Sequence, residues 1–140
     1  MRALSIVALA LALLLPRPAA AIDEAARAAA RAAITAQAQA LGRDDAESAY
    51  AQAAPRIRAL FPTPELFIGM VRRGYRPVYR HVSFVFGKAE DQGEAGLLQA
   101  VSIRDEDGTD WDALYSLERQ PDGEWRITGC RLSKTPGVAI

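Results

Sequence analysis

The sequence has one cysteine, Cys130, and one histidine, His81, among its 140 residues. A single cysteine cannot form a disulfide within the chain, and one histidine cannot supply a histidine-based metal site. Cys130 falls on the apolar positions of a strand, which favours a small buried side chain over a reactive thiol, because a catalytic cysteine needs an activating base and some exposure. We therefore predict neither a metal site nor a cofactor.

Motifs that identify common enzyme classes are also missing from the sequence. It contains no glycine-rich phosphate loop, no serine elbow and no cysteine or histidine cluster with metal-ligand spacing. Lysine and arginine number 17, as do aspartate and glutamate, so the formal net charge is zero. Because a balanced chain is not attracted to nucleic acid or to an anionic membrane surface, we expect no nucleic-acid partner.

The one long apolar run lies at the start of the chain. Arg2 precedes an apolar segment from Ala3 to Leu15, and three alanines that end at Ala21 offer small residues for a cleavage site. We predict a signal peptide over residues 1–21 and a periplasmic or secreted location.

The mature chain then forms one domain over residues 22–140, a length that suits a single domain. The leader carries two arginines, so its removal leaves 15 basic residues against 17 acidic ones. The apolar run is short for a transmembrane helix, and we expect no stable membrane insertion after cleavage, with an uncleaved anchor as the alternative.

The first half of the mature chain shows helical patterns. Alanine-rich sequence predicts one helix that Gly42 ends, Asp44 or Asp45 can cap a second, and Thr63 followed by Pro64 predicts the start of a third. Between the second and third helices, an apolar turn is predicted. The three helices are predicted over residues 22–41, about 45–53 and 64–74.

Beyond Pro77 the apolar positions recur at every second residue, as in strands with one buried face. The last two strands form a hairpin that turns at Pro121-Asp122-Gly123, and Gly129 interrupts the alternation, which predicts a β-bulge. The predicted fold class is α+β, with three N-terminal helices packed on one face of a curved four-stranded antiparallel meander. The first two strands are predicted over Val78–Phe86 and Gly96–Arg104, and the hairpin over Thr109–Leu132. The residues predicted to be largely buried are Phe67, Phe84, Trp111, Trp125, Ile127 and Leu132.

Three segments carry a resemblance to a known family: LGRDDAESAYAQAAP, FPTPELFIGMVRRGYRPVYR and WDALYSLERQPDGEWRITGC. Together with the signal peptide they resemble a family of small exported bacterial proteins known only as a domain of unknown function, and the resemblance implies no activity. More distantly, helices followed by a curved meander are similar to the ketosteroid-isomerase-like, or nuclear-transport-factor-like, α+β cone. That superfamily includes isomerases, cyclases, dehydratases, binding modules and scaffolds, so the likeness decides little about function.

One segment, VRRGYRPVYRH at residues 71–81, concentrates four arginines, two tyrosines and the histidine. Strand alternation gives Arg76 and Arg80 the same parity as Val82, Phe84 and Phe86, and therefore places both arginines at the start of an apolar face. This arrangement is typical of a cleft with a charged mouth.

Neighbouring strands direct further polar and aromatic residues into the same predicted cleft. We predict a ligand-binding site formed by Arg76, Arg80, Gln99, Trp111 and Tyr115, with the two arginines at its rim. The planar guanidinium group matches a carboxylate or a phosphate, so the expected ligand is a small anion with an apolar body or the acidic end of a peptide.

The same residues also admit structural roles. Arg80 could pair with the acidic turn at residues 105–112 or with Glu118, while Tyr79 and His81 could lie on the outer face or in a contact between two copies of the chain. These alternatives stay open at this point.

Three function classes follow, of which a non-catalytic binding or interaction module is favoured. The alternatives are a small cofactor-free enzyme of the isomerase or dehydratase kind, and a structural module that forms a homodimer. An isomerase or dehydratase needs a general base inside the apolar cleft. Strand parity directs Asp110, Asp112, Glu118 and His81 away from the inner face, which weighs against the enzyme.

Overall fold

The computed structural model describes residues 22–93 and 95–137, so the predicted signal peptide lies outside the described residues. In these residues, five helices precede a sheet of four strands. The helices are α1 Glu24–Gly42, α2 Ala46–Ala51, α3 Pro55–Leu60, α4 Pro64–Gly74 and α5 Arg76–Tyr79. The strands are β1 His81–Asp91, β2 Gly96–Asp105, β3 Asp110–Arg119 and β4 Trp125–Lys134.

The sheet is an antiparallel meander in which spatial order follows chain order, β1-β2-β3-β4. Helices in the first half and an open antiparallel sheet in the second confirm the predicted α+β class. Both β1 and β4 are edge strands. The helices α1, α3 and α5 pack against the sheet. Within the described residues, no helix combines the length and the apolar character that crossing a membrane would require.

Side-chain caps fix the starts of the three predicted helices, α1, α2 and α4. Asp23 accepts a hydrogen bond from the backbone nitrogen of Ala26 at 2.9 Å, and Asp45 accepts one from Ser48 at 3.1 Å. At the start of α4, Oγ1 of Thr63 accepts a hydrogen bond from the backbone nitrogen of Leu66 at 3.2 Å. Each cap satisfies a backbone donor that has no partner within its helix. The caps at Asp45 and Thr63 were part of the sequence prediction, whereas the first helix was predicted from its alanine content.

Two short helices occur where the sequence predicted other structure. The helix α3 replaces the predicted apolar turn, and α5 replaces the predicted start of the first strand at Val78. Each has a proline in its first turn, and proline presets the backbone angle that a helix needs. In α5 the chain buries Val78 and Tyr79, so packing decides the conformation against the strand preference of a β-branched residue.

Bulges change which face several strand residues occupy. In β1, His81 pairs with Asp105 and Ser83 pairs with Arg104, which leaves Val82 as an extra residue. Val82 is 64% exposed, so the prediction that it shares the buried face was wrong: the bulge resets the alternation by one residue. In β4 the register shifts between Ile127 and Gly129, which confirms the predicted bulge.

The core lies between the helices and the inner face of the sheet. Alanines let α1 pack closely, since Ala30 and Ala40 have no exposed surface, and the larger Ile34 is equally buried. Trp125 and Ile127 are each 5% exposed. The burial predicted for these two residues and for Phe67 is confirmed, whereas Trp111, Phe84 and Leu132 are half-buried and pack against the core from its edge.

Candidate functional site

A cleft with a volume of about 340 Å³ lies between the helices and the sheet. The volume falls within the range of about 300–1,000 Å³ that is usual for small-molecule sites. Its helical wall includes Ile57, Leu60, Phe61, Phe67 and Met70, and its sheet wall includes Tyr115, Ile127 and Cys130.

Two of the helices that line the cleft, α3 and α4, differ in character. The helix α4 is amphipathic and buries Phe67, whose ring lies 6.5 Å from the ring of Phe61. The preceding helix α3 buries none of its residues, although Ile57 and Leu60 line the cleft. Leu60 is 71% exposed and therefore forms an apolar edge at the mouth of the cleft.

The polar groups in the wall come mainly from two tyrosines and the cysteine. The hydroxyl of Tyr75 donates to the carbonyl oxygen of Cys130 at 3.0 Å, and the buried Tyr115 is the cross-strand neighbour of Cys130. A glutamine, Gln37, also lines the cleft, and its amide donates to the carbonyl of Ala49 at 3.2 Å.

Burial keeps these titratable groups protonated. It raises the pKa of the Cys130 thiol to about 12 and raises the pKa of Tyr115 well above its usual value. The pKa of Tyr75 is raised for the same reason. At neutral pH all three groups are therefore uncharged, and none is present as an anionic base.

The candidate bases named from sequence lie away from the cleft. Asp110, Asp112 and Glu118 are exposed on β3. His81 is half-buried, and its Nδ1 lies 3.0 Å from the carbonyl oxygen of Val78. Among the described residues that line the cleft there is no aspartate, glutamate or histidine. Nor do the described residues contain a group of His, Cys, Asp or Glu side chains that could hold a metal ion.

The two predicted arginines are engaged by carboxylates of the protein. Arg76 donates to Oε1 of Glu106 from Nε at 3.1 Å and from Nη2 at 2.6 Å. Arg80 donates to Oδ2 of Asp44 at 2.9 Å and to the carbonyl oxygen of Leu41 at 3.0 Å. Glu106, which pairs with Arg76, belongs to the acidic turn that was the predicted alternative partner of Arg80. Arg80 itself pairs instead with Asp44, in the loop between α1 and α2.

Tyr79 organises the arginine-rich segment. The guanidinium of Arg80 lies 3.8 Å from the centre of its ring, and those of Arg72 and Arg76 lie at 5.6 Å. The hydroxyl of Tyr79 donates to Asp44, which has a left-handed backbone with φ of 57°. The bond from Tyr79, followed by those from Arg80 and Arg72, lowers the pKa of the Asp44 carboxyl.

The other two predicted polar and aromatic residues also have protein partners. Gln99 is fully buried, donates to the carbonyl of Ala100 at 2.8 Å and accepts a bond from Arg31 at 3.2 Å. The indole of Trp111 donates to Oδ2 of Asp105 at 2.9 Å.

Of the five residues predicted to bind a ligand, the structure places one, Tyr115, in the cleft. A ligand-binding role for all five, Arg76, Arg80, Gln99, Trp111 and Tyr115, stays a prediction. The lining residues missed from sequence include Ile57 and Leu60 of α3. Their signal was the apolar sequence around residue 60, which fits a helix once Pro55 is taken as its start.

A search of curated proteins and a search of solved structures found no match to this chain. The family resemblance is confirmed at the level of the domain, because residues 23–140 match a family described as a domain of unknown function, DUF4864. The chain belongs to this family.

Proposed function

We propose that this protein is an exported, non-catalytic binding module that takes a small, neutral and largely apolar molecule into the cleft between its helices and its sheet. The observation that carries the proposal is the cleft itself, whose volume of about 340 Å³ is bounded by apolar side chains and three uncharged polar groups.

The open space supports a ligand because protein interiors are normally packed as densely as organic crystals. Side chains that border a void lose contacts on one side. Here those side chains include Phe67, Met70 and Ile127, which would gain contacts from an apolar occupant. The exposed Leu60 at the mouth would be covered at the same time.

The electrostatics of the wall favour a neutral ligand. Its described lining residues include no lysine, arginine, aspartate or glutamate. A carboxylate that entered this cleft would lose its hydration without meeting a cation, which is costly. A neutral carbonyl, ether or hydroxyl oxygen loses much less free energy on leaving water than a carboxylate does, so the uncharged wall suits a neutral ligand.

The anionic ligand expected from the sequence stays a rival prediction. It would bind at Arg76 and Arg80, where it would have to compete with Glu106 and Asp44. The alternative enzyme is supported less well than binding, since the titratable groups at the cleft are held in their protonated forms. The homodimer and the distant likeness to the isomerase-like cone also stay predictions.

Export is proposed from the first 21 residues, in which a positive start, an apolar run and a small-residue site follow one another. A periplasmic or secreted binding module would meet its ligand outside the cytoplasm. This part of the proposal is independent of the cleft and can fail without it.

The cleft is tested with N-phenyl-1-naphthylamine, a neutral apolar dye that becomes fluorescent in apolar surroundings. We expect saturable binding by the parent protein and at least a tenfold weaker affinity for Leu60→Asp, which places a charge at the mouth. Leu66→Asp is the matched control, because Leu66 is 53% exposed on α4 and does not line the cleft. Absence of saturable binding, or equal binding by all three proteins, would contradict the proposal.

Ligand charge is tested by competition between dodecanol and dodecanoate, which share a chain length and differ in charge. We expect dodecanol to displace the dye at lower concentration. Stronger displacement by dodecanoate that is lost in Arg80→Ala would instead support the anionic ligand predicted from sequence.

A further inference from the structure

The backbone nitrogen of Ile22 donates a hydrogen bond of 3.1 Å to Oδ2 of Asp91, a residue 69 positions further along the chain. The other carboxylate oxygen of Asp91 accepts from the backbone nitrogen of Gly93 at 2.9 Å, inside the turn between β1 and β2. One carboxylate therefore joins the start of the described chain to a β-turn. Ile22 is also anchored by its side chain, which is 9% exposed and belongs to the core.

We propose that cleavage after Ala21 creates an ammonium group at Ile22 that forms an ion pair with Asp91 and locks the mature N-terminus onto the β1–β2 turn. In this hydrolysis one water molecule is consumed and the bond between the carbonyl carbon of Ala21 and the nitrogen of Ile22 breaks. Ala21 leaves as a carboxylate and the nitrogen of Ile22 becomes an ammonium. The inference rests on the proposed export, and it does not depend on the ligand of the cleft.

The ion pair would be stronger than the bond that the peptide nitrogen makes. A peptide nitrogen offers one neutral donor, whereas an ammonium offers three donors and a full charge. Charge-assisted hydrogen bonds are roughly twice as strong as neutral ones. The chain with its leader attached makes only the neutral hydrogen bond, so processing itself would strengthen the link between Ile22 and Asp91.

The new ammonium group at Ile22 also needs a nearby carboxylate for electrostatic reasons. An ammonium beside the first turn of α1 meets the positive end of the helix dipole, which disfavours a cation. The side chain of Asp23 is occupied in capping Ala26, and Glu24 adds a second negative charge in the first turn. On β1 the charged neighbours of Asp91 are Glu90 and Lys88, which pair with each other at 3.5 Å. Asp91 is thus the carboxylate placed to receive the new charge.

The test uses the full chain, expressed with its own leader in a host that has a periplasm and purified from that compartment. We expect an intact mass that corresponds to a first residue Ile22. The α-amino pKa, followed by nuclear magnetic resonance, should lie at least about half a unit above the ordinary value of about 7.7–8.0.

Asp91→Asn is the informative variant, because its amide oxygen can still accept the bond from Gly93 while the charge is removed. We expect the α-amino pKa to fall back to its ordinary value in this variant and to stay raised in Glu90→Gln. Since the folded pKa is raised, the extra stability of the parent over Asp91→Asn should be fully present below about pH 7.7 and disappear as the pH rises through the folded pKa.

Two results would overturn the inference. One is a mature chain that begins at any residue other than Ile22, including an uncleaved chain. The other is an α-amino pKa that is equal in the parent and in Asp91→Asn. If either occurs while the dye still binds the cleft, the ion pair fails and the binding function stands.

Discussion

The hydroxyl of Tyr75 donates a hydrogen bond of 3.0 Å to the carbonyl oxygen of Cys130, across 55 positions of sequence. Tyr75 follows the end of α4, and Cys130 lies in the edge strand β4, so the bond connects the helical wall of the cleft to its sheet wall. Both residues line the cleft. The separation of the two walls therefore depends in part on a single phenolic oxygen.

Removal of that oxygen should loosen the cleft. Tyr75→Phe keeps the ring and deletes the hydrogen bond, which should lower the free energy of unfolding by about 0.5–1.5 kcal/mol. We also expect weaker binding of the naphthylamine dye, because the two walls are no longer tied together. Urea denaturation and dye titration check the two effects. A variant that unfolds and binds as the parent does would show that the bond contributes little.

Trp125 should be among the most important residues for stability. It is 5% exposed, and Trp125→Ala should cost roughly 3–5 kcal/mol through lost burial and the cavity that remains. The matched control is Leu114→Ala on the neighbouring strand β3, where the side chain is 39% exposed and the cost should stay within about 0.5 kcal/mol. Chemical denaturation measures both. Equal losses in the two variants would contradict the assignment of the sheet's inner face.

Acid should weaken the fold in part through Asp105. Its carboxylate accepts bonds from Trp111 and from the backbone of Thr109 and Asp107, and these bonds lower its pKa. A carboxyl of this kind stabilises the fold above its unfolded pKa of about 3.9, and the stabilisation is lost as the pH falls through the folded pKa.

The comparison of the parent with Asp105→Asn isolates this contribution. We expect the variant to have the lower midpoint of thermal unfolding at neutral pH, and the difference to shrink as the pH falls below about 4. Scanning calorimetry at several pH values measures it. A difference that does not change with pH would show that the charge of Asp105 is not involved.

Cys130 should react slowly with thiol reagents in the folded protein. The thiolate is the reactive form, and burial raises the pKa of this thiol to about 12. At pH 8 the thiolate fraction is then on the order of a thousandfold smaller than for an ordinary cysteine with a pKa of about 8.5. Alkylation by iodoacetamide, followed by mass spectrometry in buffer and in urea, checks this. Rates within tenfold of each other would mean that the thiol is accessible and ionised.

Local chemistry made much of the fold predictable. Thr63 followed by Pro64 specifies a helix start through a side-chain cap and a fixed backbone angle, whatever the rest of the chain does. The turn at Pro121-Asp122-Gly123 is equally local, and Gly123 has the positive φ of 87° that favours glycine. Alternation along β3 placed Ala113, Tyr115 and Leu117 on the buried face, as the structure shows.

The candidate site was less predictable because it depends on contacts between distant segments. The bulge at Val82 follows from the pairing of β1 with β2, and it breaks the parity on which the arginine-lined cleft was based. The partner of Arg80 is Asp44, a residue of the loop between α1 and α2 that no spacing rule connects to it. A pairing of this kind follows from how the helices pack on the sheet.

The sequence by itself determined the class of the fold and the order of three helices and four strands, since these depend on caps, turns and hydrophobic period within a few residues. It did not show the short helices α3 and α5. Only the tertiary structure decided where the cleft lies and what charge it carries. It brings Leu60 of α3 and Cys130 of β4 to one cleft, and it engages Arg76 with Glu106. The physical reason is that burial, which raises the pKa values of the cleft, and ion pairing both depend on packing between segments that are far apart in the chain.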